Sequence, residues 1–318
     1  MIYFGCILKI TEFKCFANHK RGGIFLFRII INPLAGAGKP MALRPRVEAL
    51  LAERGISYET VLTDGGNHAV NLSKQAAADG ARAVVIVGGD GSLNEAVNGL
   101  IGSSTILYIV PCGTGNDFAR VFRLPKDPIE ALRMQLDAPV GVIDAGAANE
   151  FRFLNVAGAG FDVEVLRQME AYKEKYSGIW PYLLGVIRAV KAFRPFEATL
   201  EAQGQTFSGR FTLMVFANGQ YYGGGMRVAR KADPRDGLLD MIYIPALPKW
   251  LISLCLPLFL PGWYDVLPFV RRMRVSKATL LSKGVTLNMD GELRDVDRAD
   301  FELLPGAIRM PVLPCRQG

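Results

Sequence analysis

Two glycine-rich segments carry polar side chains that could organise a phosphate-bearing ligand. In GGDGSLNEAVNGL, Asp90 stands among glycines that let the backbone come close to an anion. In PCGTGND, a hydroxyl (Thr114), an amide (Asn116) and a carboxylate (Asp117) repeat this arrangement. A carboxylate at a strand end costs free energy unless it meets a metal ion, a hydrogen-bond donor or a helix N-terminus. Because Mg²⁺ bridges carboxylates and phosphate oxygens, the two segments indicate a Mg-nucleotide site. The structural alternative for Asp90 is the N-cap of the helix that follows it.

A third glycine-rich segment, NPLAGAGK (32–39), lies near the start of the chain. It is not a P-loop, because Pro33 stands at the first glycine of that motif and Lys39 is followed by proline. Gly36 and Gly38 still let backbone N–H groups approach an anion, and the following helix would present its positive N-terminal end. The segment is therefore predicted to bind phosphate without being a P-loop.

All three segments follow a short apolar run and precede a helical stretch. The runs are FLFRIII, AVVIV and TILYIV. Such alternation of β-rich runs and helices indicates βαβ units and a parallel sheet buried on both faces. Ligands bind at the carboxyl ends of the strands in open sheets of this kind. Three such segments at one edge therefore predict a ligand site rather than tight turns alone.

The pattern changes after about residue 140, where short strands joined by hairpin-like turns replace the βαβ units. One helical stretch, at about 161–194, interrupts strand patterns at 142–148, 151–160, 197–204, 209–219, 238–244 and 278–292. This order predicts a mostly antiparallel second domain, a β-sandwich. We expect an α/β nucleotide-binding domain over 24–140 and a β-sandwich substrate domain over 141–310. Residues 1–23 resemble nothing that follows and are assigned to an extension of unknown role.

Composition and charge narrow the class of protein. The chain has 318 residues, of which 50% are hydrophobic, and this excludes disorder, collagen and coiled coil. Its net charge is +7, and residues 146–318 carry most of the excess, with 22 basic and 17 acidic groups. This mild basic excess favours an anionic ligand or an anionic membrane surface. Nucleic acid is not expected as a partner, because no basic run is interleaved with aromatic residues.

Residue counts exclude further chemistries and indicate a compartment. His19 and His68 are the only histidines, so neither a histidine-based zinc site nor a Ser-His-Asp triad is expected. The five cysteines are scattered without a C-x-x-C pair, which is typical of reduced thiols in a cytosolic protein. No segment has the roughly 18 consecutive apolar residues that span a bilayer. We expect a cytoplasmic protein that associates peripherally with membranes.

Four motifs, in order, resemble the diacylglycerol kinase-type lipid kinases, whose bacterial members share a catalytic domain with the sphingosine kinases. The motifs are GGDGSLNEAVNG, PCGTGNDFAR, YYGGGMRVARKADPRDGLLD and MDGE, and the resemblance covers about residues 27–305. GGDG alone occurs also in NAD kinases and phosphofructokinases, but its continuation through Asn94 and Asn98 favours the lipid branch. The resemblance implies an NAD-kinase-like α/β domain and a β-sandwich, with ATP bound between them.

The resemblance also implies roles for individual residues. Those that fall in the family's nucleotide pocket are Asn32, Pro33, Leu34, Ala35, Gly36, Thr63, Gly88, Gly89, Asp90, Gly91, Ser92, Leu93, Asn94, Thr114, Asn116 and Asp117. A structural magnesium site would fall on Asp233, Asp236 and the backbone of Leu238. ATP and Mg²⁺ are therefore the expected cofactors.

The resemblance places the catalytic carboxylates at Asp290 and Glu292. Phosphoryl transfer needs positioning, charge neutralisation and an acceptor for the substrate hydroxyl proton. On a strand the two side chains would face the same side, whereas a turn at Gly291 would alter that. A plain Asp-Gly hairpin turn is the structural alternative. Either carboxylate could take the proton; we favour Asp290, with Glu292 orienting it or a metal-bound water.

The stretch 249–274 is the most apolar in the chain. One interpretation is a buried core helix. The other is a partly exposed wall that contacts the bilayer and admits an acyl chain, with Trp250, Trp263 and Tyr264 at the interface. Arginines 271, 272 and 274 would then meet anionic headgroups. Arg188, Lys191 and Arg194, at three-residue spacing, either extend this basic patch or form an ordinary solvated face.

Three functions are compatible with these patterns. The first is an ATP-dependent lipid kinase that phosphorylates diacylglycerol or a related lipid alcohol. The second is a kinase of a soluble polyol or a dinucleotide, which the apolar stretch disfavours. The third is a non-enzymatic nucleotide- or lipid-binding regulator, which the intact carboxylates disfavour. The expected partners are a lipid substrate and an anionic membrane surface, with a homodimer as a further possibility.

Overall fold

The computed structural model describes residues 26–173, 180–259 and 261–313. The extension predicted over 1–23 lies outside these residues. The first domain alternates strands and helices, as the apolar runs predict. Its elements are β1 (Phe27–Ile31), α1 (Lys39–Glu53), β2 (Tyr58–Leu62), α2 (His68–Ala78), β3 (Ala83–Gly88), α3 (Asp90–Leu100), β4 (Ile106–Pro111), α4 (Asp117–Val121) and α5 (Pro128–Asp137).

The strands of this domain pair in parallel, in the order β2-β1-β3-β4. Strands β1, β3 and β4 are buried along their whole length, which explains their continuous apolar sequences. On one face Ile30 and Ile86 pack with residues of α2 and α3, and on the other Ile29 and Val85 pack with residues of α1 and α5. Because these strands are parallel, their carboxyl ends lie at the same edge of the sheet.

The second domain is mostly antiparallel. Its elements are β5 (Val140–Ala148), β6 (Phe151–Phe153), β7 (Val156–Gly160), α6 (Phe161–Lys173), α7 (Trp180–Ala192), β8 (Phe196–Ala202), β9 (Gln205–Ala217), β10 (Tyr221–Tyr222), β11 (Met226–Arg227), β12 (Leu239–Pro245), α8 (Lys249–Phe259), β13 (Arg271–Val275), β14 (Lys277–Met289) and β15 (Glu292–Pro311). Strands β7 and β8 each pair with both β9 and β14. Phe216 of β9 stacks on Phe301 of β15 in the hydrophobic core of this domain, with ring centroids 3.6 Å apart.

The last strand joins the two domains. The first part of β15 pairs with β14, and its second part pairs with β5. Arg309 of β15 also pairs in parallel with Ile106 of β4, so both domains share one hydrogen-bonded sheet. In the part of the chain that the structure describes, no helix combines the length and apolarity needed to cross a bilayer.

Candidate active site

The glycine-rich segments after β1 and β3 are joined by a side-chain bridge. The Asn32 amide Nδ2 donates to Ser92 Oγ at 3.0 Å, and its Oδ1 accepts the Leu34 N–H at 3.1 Å. The amide group of Asn32 thus bonds through both its nitrogen and its oxygen within the protein. Ser92 is buried, so its hydroxyl fixes one segment to the other rather than standing free for a ligand.

Close backbone approach explains why glycine stands at two positions in these segments. A Cβ atom on Gly113 would lie 2.5 Å from the Cα of Gly89, so the segments after β3 and β4 cross with no room for a side chain. Gly36 has a φ of 52°, and a Cβ there would lie 2.4 Å from the carbonyl oxygen of Cys112. The three segments therefore form one packed unit at the carboxyl edge of the sheet.

Asp90 and Asp117 connect this unit to the second domain. Asp90 Oδ1 accepts the Asp117 N–H at 2.8 Å, and Asp117 Oδ2 accepts the Gly224 N–H at 2.8 Å. Asp90 thus caps the start of α4, while the N-cap of its own helix α3 is Gly89. The structural alternative for Asp90 is therefore incorrect in the form predicted, because Asp90 is the first residue of α3 rather than its N-cap and its carboxylate accepts the Asp117 N–H.

Asp117 has an oxygen available for a ligand. Its side chain is buried, Oδ1 has no hydrogen-bond partner, and the nearest cation is Arg120 Nε at 3.8 Å. Burial, and then the charge of Asp90, raise the pKa of Asp117 to about 6. Burial likewise raises the pKa of Asp90. Two carboxyl groups held together in this way favour a bound cation or a shared proton.

Asp290 and Glu292 are separated by the hairpin turn between β14 and β15. Met289 pairs with Glu292, and Asp290 has a φ of 49°, which places Asp290 and Gly291 at the two turn positions. The Asp290 carboxylate accepts N–H groups from Leu154 at 2.6 Å, from Asn155 at 3.1 Å and from Val156 at 2.9 Å. The turn therefore replaces the same-side arrangement that an uninterrupted strand would give.

The environments of Asp290 and Glu292 differ. Burial raises the pKa of Asp290 to about 7 against the lowering effect of its three N–H donors, and the charge of Asp90 adds to the rise. Glu292 is exposed and forms an ion pair with Arg294 at 2.8 Å. Asp290 lines an apolar cavity, whereas Glu292 lines a polar cleft. Since Arg294 is the partner of Glu292, an orienting contact with Asp290 is not observed among the described residues.

The apolar cavity has a volume of about 400 Å³ and lies under the helices of the second domain. Its walls combine side chains from α6, α7 and α8, including Phe161, Ile187 and Phe259. Three carboxylates line the same cavity: Asp90, Asp117 and Asp290. An acyl chain fits such walls, and the carboxylates would face a polar headgroup.

Sequence reasoning missed a fourth carboxylate in this cavity. Asp162, at the start of α6, is buried, and Asn288 donates to its Oδ2 at 3.3 Å. Its Oδ1 has no hydrogen-bond partner, and burial raises its pKa to about 7. The only signal in the sequence is an aspartate two residues after the end of the buried strand β7. Nothing local shows that β14 brings Asn288 to it.

The polar cleft, of about 410 Å³, lies between the domains. Asn94 is the predicted nucleotide residue that lines it. Glu95 and Asn98, from the continuation of the GGDG motif, line it as well, and the lining residues outside the motifs include Asn67, Lys74, Arg152 and Arg294. Glu95, Glu150 and Glu292 place three carboxylates on the same walls. Three of the residues outside the motifs are cations, namely Lys74, Arg152 and Arg294. They come from α2, β6 and β15, so no short motif could contain them.

The remaining predicted nucleotide residues are placed in different ways. Thr63 follows β2, is buried, and donates its N–H to the Ile31 carbonyl oxygen at 2.9 Å. Thr114 is exposed beside the glycines. The Asn116 amide bonds both the N–H and the carbonyl of Gly113, so it shapes its own loop. Pro33 and Ala35 lie in the turn and 3-10 helix after β1, while Gly88 ends β3 and Gly91 lies in the first turn of α3.

The role of Leu93 in the nucleotide pocket stays a prediction, and its side chain lies in the core. It is buried in the core between the sheet and α3, so only its backbone could meet a ligand. The amphipathic pattern of α3 explains this, since Leu93, Val97 and Leu100 share its inward face.

The predicted structural metal site contains oxygen donors of the right type, but arginines occupy them. Asp233 accepts two bonds from Arg235, each 2.8 Å long, and Asp236 is paired with Arg274. The Leu238 N–H donates to Asp236 Oδ1 at 3.1 Å. Within the described residues, no group of three or more Asp, Glu, His or Cys side chains is arranged to hold a metal ion. As described, the arrangement at 233–238 therefore pairs with arginines and does not fit a bound Mg²⁺.

Comparison with known proteins supports a kinase assignment for both domains. Residues 27–148 match the family model of the diacylglycerol kinase catalytic domain, and residues 155–312 match that of the YegS C-terminal NAD kinase beta sandwich-like domain. The chain is 28% identical to a diacylglycerol kinase of Mycobacterium tuberculosis over 288 residues, which cover 88% of this chain and 93% of the relative.

Two further matches agree. A protein of Chromohalobacter salexigens named "Probable lipid kinase YegS-like" is 31% identical over 266 residues, which cover 80% of this chain and 84% of that protein. A crystal structure from Bacillus anthracis, whose name assigns it to the diacylglycerol kinases, superposes with a TM-score of 0.77 at 25% identity and covers 92% of this chain and 99% of its own. These matches confirm the resemblance drawn from the four motifs: the chain belongs to the family of diacylglycerol kinases and YegS-like lipid kinases.

Proposed function

We propose that the protein transfers the γ-phosphoryl group of ATP to the hydroxyl of diacylglycerol or a related lipid alcohol. The observation that carries this proposal is the cavity in which Asp90, Asp117 and Asp290 stand among apolar walls. A soluble polyol would not need apolar walls. A non-enzymatic regulator would not need three carboxyl groups with pKa values raised by burial. The names of the relatives support the same substrate class.

The nucleotide would bind along the carboxyl edge of the parallel sheet. Gly36, Gly89 and Gly113 let the three glycine-rich segments pack into one unit, and phosphate would lie against the backbone of that unit. The polar cleft would take the rest of the nucleotide, where Lys74, Arg152 and Arg294 lie beside Glu95, Glu150 and Glu292. This cleft and the apolar cavity both border the hairpin that contains Asp290, so ATP and lipid would approach from different sides.

Asp90 and Asp117 would hold the Mg²⁺ ion of the nucleotide. Asp117 Oδ1 is buried without a hydrogen-bond partner, 3.8 Å from Arg120 Nε, and a closely bound cation would offset the cost of burying it. When bound, Mg²⁺ neutralises charge on the transferred phosphoryl group. Asp90 in turn fixes Asp117, because it accepts the N–H of that residue.

Asp290 is the proposed proton acceptor. Its carboxylate would take the proton of the lipid hydroxyl as the hydroxyl oxygen bonds to the γ-phosphorus and the bond to ADP breaks. Three N–H groups hold the carboxylate in place, and a pKa of about 7 suits a base that works near neutral pH. Glu292, with Arg294, lies in the polar cleft and would act on the nucleotide side.

A second candidate substrate class is favoured by Asp162. Diacylglycerol has one free hydroxyl, which Asp290 would meet, whereas Asp162 lines the same cavity. A lipid with a second donor, such as a monoacylglycerol or a long-chain amino alcohol, would give the Asp162 carboxyl group a partner at the cavity wall.

Both candidates are tested by one assay. Purified full-length protein, labelled ATP and Mg²⁺ would be incubated with diacylglycerol, monoacylglycerol, a long-chain amino alcohol and glycerol, the lipids in mixed micelles. Label in any lipid product supports the lipid kinase, and the ratio among lipids identifies the class. Label in glycerol alone, or in none of the acceptors, would contradict the proposal.

A further inference from the structure

Helix α8 has two apolar faces, of which only one is used inside the protein. Leu256 and Phe259 line the cavity, and Ile252 packs with α6 and α7. On another face Trp250 and Leu254, one turn apart, are each 68% exposed. A side chain of this size that remains in water on a helix forgoes the free energy of burial, so its exposure calls for a partner.

The turn after α8 continues this exposed surface. Phe259 stacks on the fully buried Tyr264 with ring centroids 4.2 Å apart, which fixes the 3-10 helix of residues 263–266 against the end of α8. Trp263 is 58% exposed and Val266 76% exposed, and residues three apart lie on the same side of a 3-10 helix. We call Trp250, Leu254, Trp263 and Val266 the apolar edge.

Basic residues outnumber acidic ones in the segments that contain the apolar edge and the end of α7. The segments 184–194 and 249–274 together contain seven Lys or Arg residues and a single acidic residue, Asp265. That aspartate is buried in ion pairs with Arg230 and Arg272. The Lys249 ammonium bonds the Lys191 carbonyl oxygen and thereby joins the start of α8 to the end of α7. Tryptophan beside exposed cations is the composition of a surface that lies in a membrane interface.

We infer that the apolar edge inserts into the headgroup region of an anionic bilayer and places the mouth of the cavity against the lipid. This rests on the proposed function only in that the cavity receives a lipid. Because α8 contributes to both surfaces, an acyl chain would pass from bilayer to cavity along one helix. The charge around the edge selects an anionic surface over a second protein chain of ordinary composition.

The test is sedimentation of the full-length protein with phosphatidylcholine vesicles, with and without phosphatidylglycerol. The wild type should bind more strongly when phosphatidylglycerol is present, and salt should weaken that binding. Trp250→Glu and Leu254→Glu should each lower the partition coefficient roughly tenfold or more, since each removes a large apolar side chain from the interface. Met134→Glu on α5 is the matched control, because Met134 is an exposed apolar residue on a helix of the other domain.

Phosphorylation of a short-chain, water-soluble lipid alcohol without vesicles separates this inference from the proposed function. Trp250→Glu should retain wild-type turnover there, because Trp250 is not among the residues that line the cavity. If the wild type phosphorylates no lipid yet loses vesicle binding on Trp250→Glu, the docking surface stands and the proposed function fails.

Three outcomes would overturn the docking surface. The first is equal vesicle binding by wild type, Trp250→Glu and Leu254→Glu. The second is an equal loss in Met134→Glu. The third is a wild-type dimer in solution that Trp250→Glu converts to a monomer without changing vesicle binding, which would assign the edge to a second copy of the chain.

Discussion

At the scale of single residues, the site contains carboxyl groups whose pKa values are raised by burial. Asp117, Asp162 and Asp290 have pKa values raised to about 6, 7 and 7. All three residues line the same cavity, so the raised pKa values occur at one site. Buried acids of this kind cost stability and persist where function requires them.

Asp290→Asn should lower turnover by about 10²–10⁴-fold, because the amide keeps the shape of the carboxylate but cannot accept the hydroxyl proton. Asparagine tolerates the left-handed backbone conformation at this position, so the turn should survive. ATP affinity should barely change. Steady-state kinetics and a thermal melt of each variant test this, with Glu292→Gln as the comparison. If Asp290→Asn remains active while Glu292→Gln is inert, the proton acceptor is Glu292.

The raised pKa values also predict how stability depends on pH. A carboxyl group with a higher pKa in the folded state binds its proton more tightly there, so its stabilising contribution is complete below the unfolded pKa of about 4 and is lost as pH rises to about 7. The free energy of unfolding of the ligand-free protein should therefore fall between about pH 4 and about pH 7 through these groups.

Asp162→Asn should reduce this fall by on the order of 1 kcal/mol or more, because it removes one of the three groups. Urea unfolding at the two pH values measures the difference. Glu197→Gln is the control, since Glu197 is an exposed acidic residue on β8. An unchanged pH dependence in Asp162→Asn would show that this carboxyl is not buried in solution.

At the scale of elements, the crossing of two loops determines whether the phosphate site can form. Gly113→Ala should destabilise the protein by about 1–3 kcal/mol and weaken ATP binding, because the added Cβ meets the Gly89 backbone, which cannot rotate away. Gly65→Ala is the control, since a Cβ there meets nothing within 4 Å. Chemical denaturation and nucleotide titration would measure both effects. Equal behaviour of the two variants would contradict the crossing.

The elements of the first domain were predictable because their signals are local. The apolar runs before the three glycine-rich segments are β1, β3 and β4, since a strand buried on both faces is apolar throughout. The position of Asp290 was not predictable in the same way. Its carboxylate is held by the turn at 154–156, which is distant in sequence, and Asp162 depends on a contact with β14. Short motifs contain glycines and carboxylates, but they do not contain the distant hydrogen-bond partners that influence the pKa values of those carboxylates.

At the scale of the whole molecule, the shared sheet predicts that the two domains unfold together. β15 pairs with β14, with β5 and, at Arg309, with β4. Calorimetry should therefore show one transition, and ATP with Mg²⁺ should shift all of it upward. Phe301→Ala should lower the stability of that single transition by about 3–5 kcal/mol, since Phe301 is a fully buried ring. Two transitions, with only one moved by the nucleotide, would show that the domains are independent.

The position of β15 also has a consequence for biosynthesis. Ala148 of β5 finds its partner only when Phe301 has been made, and Asp290 precedes that strand by two residues. While β15 is still in the ribosome, β5 of the nascent chain has an unpaired edge that can pair with a neighbouring polypeptide. Contacts of such long sequence separation form slowly, so protection of this edge by a chaperone would matter most while β15 is still unavailable. The site is completed only after β15 has left the ribosome.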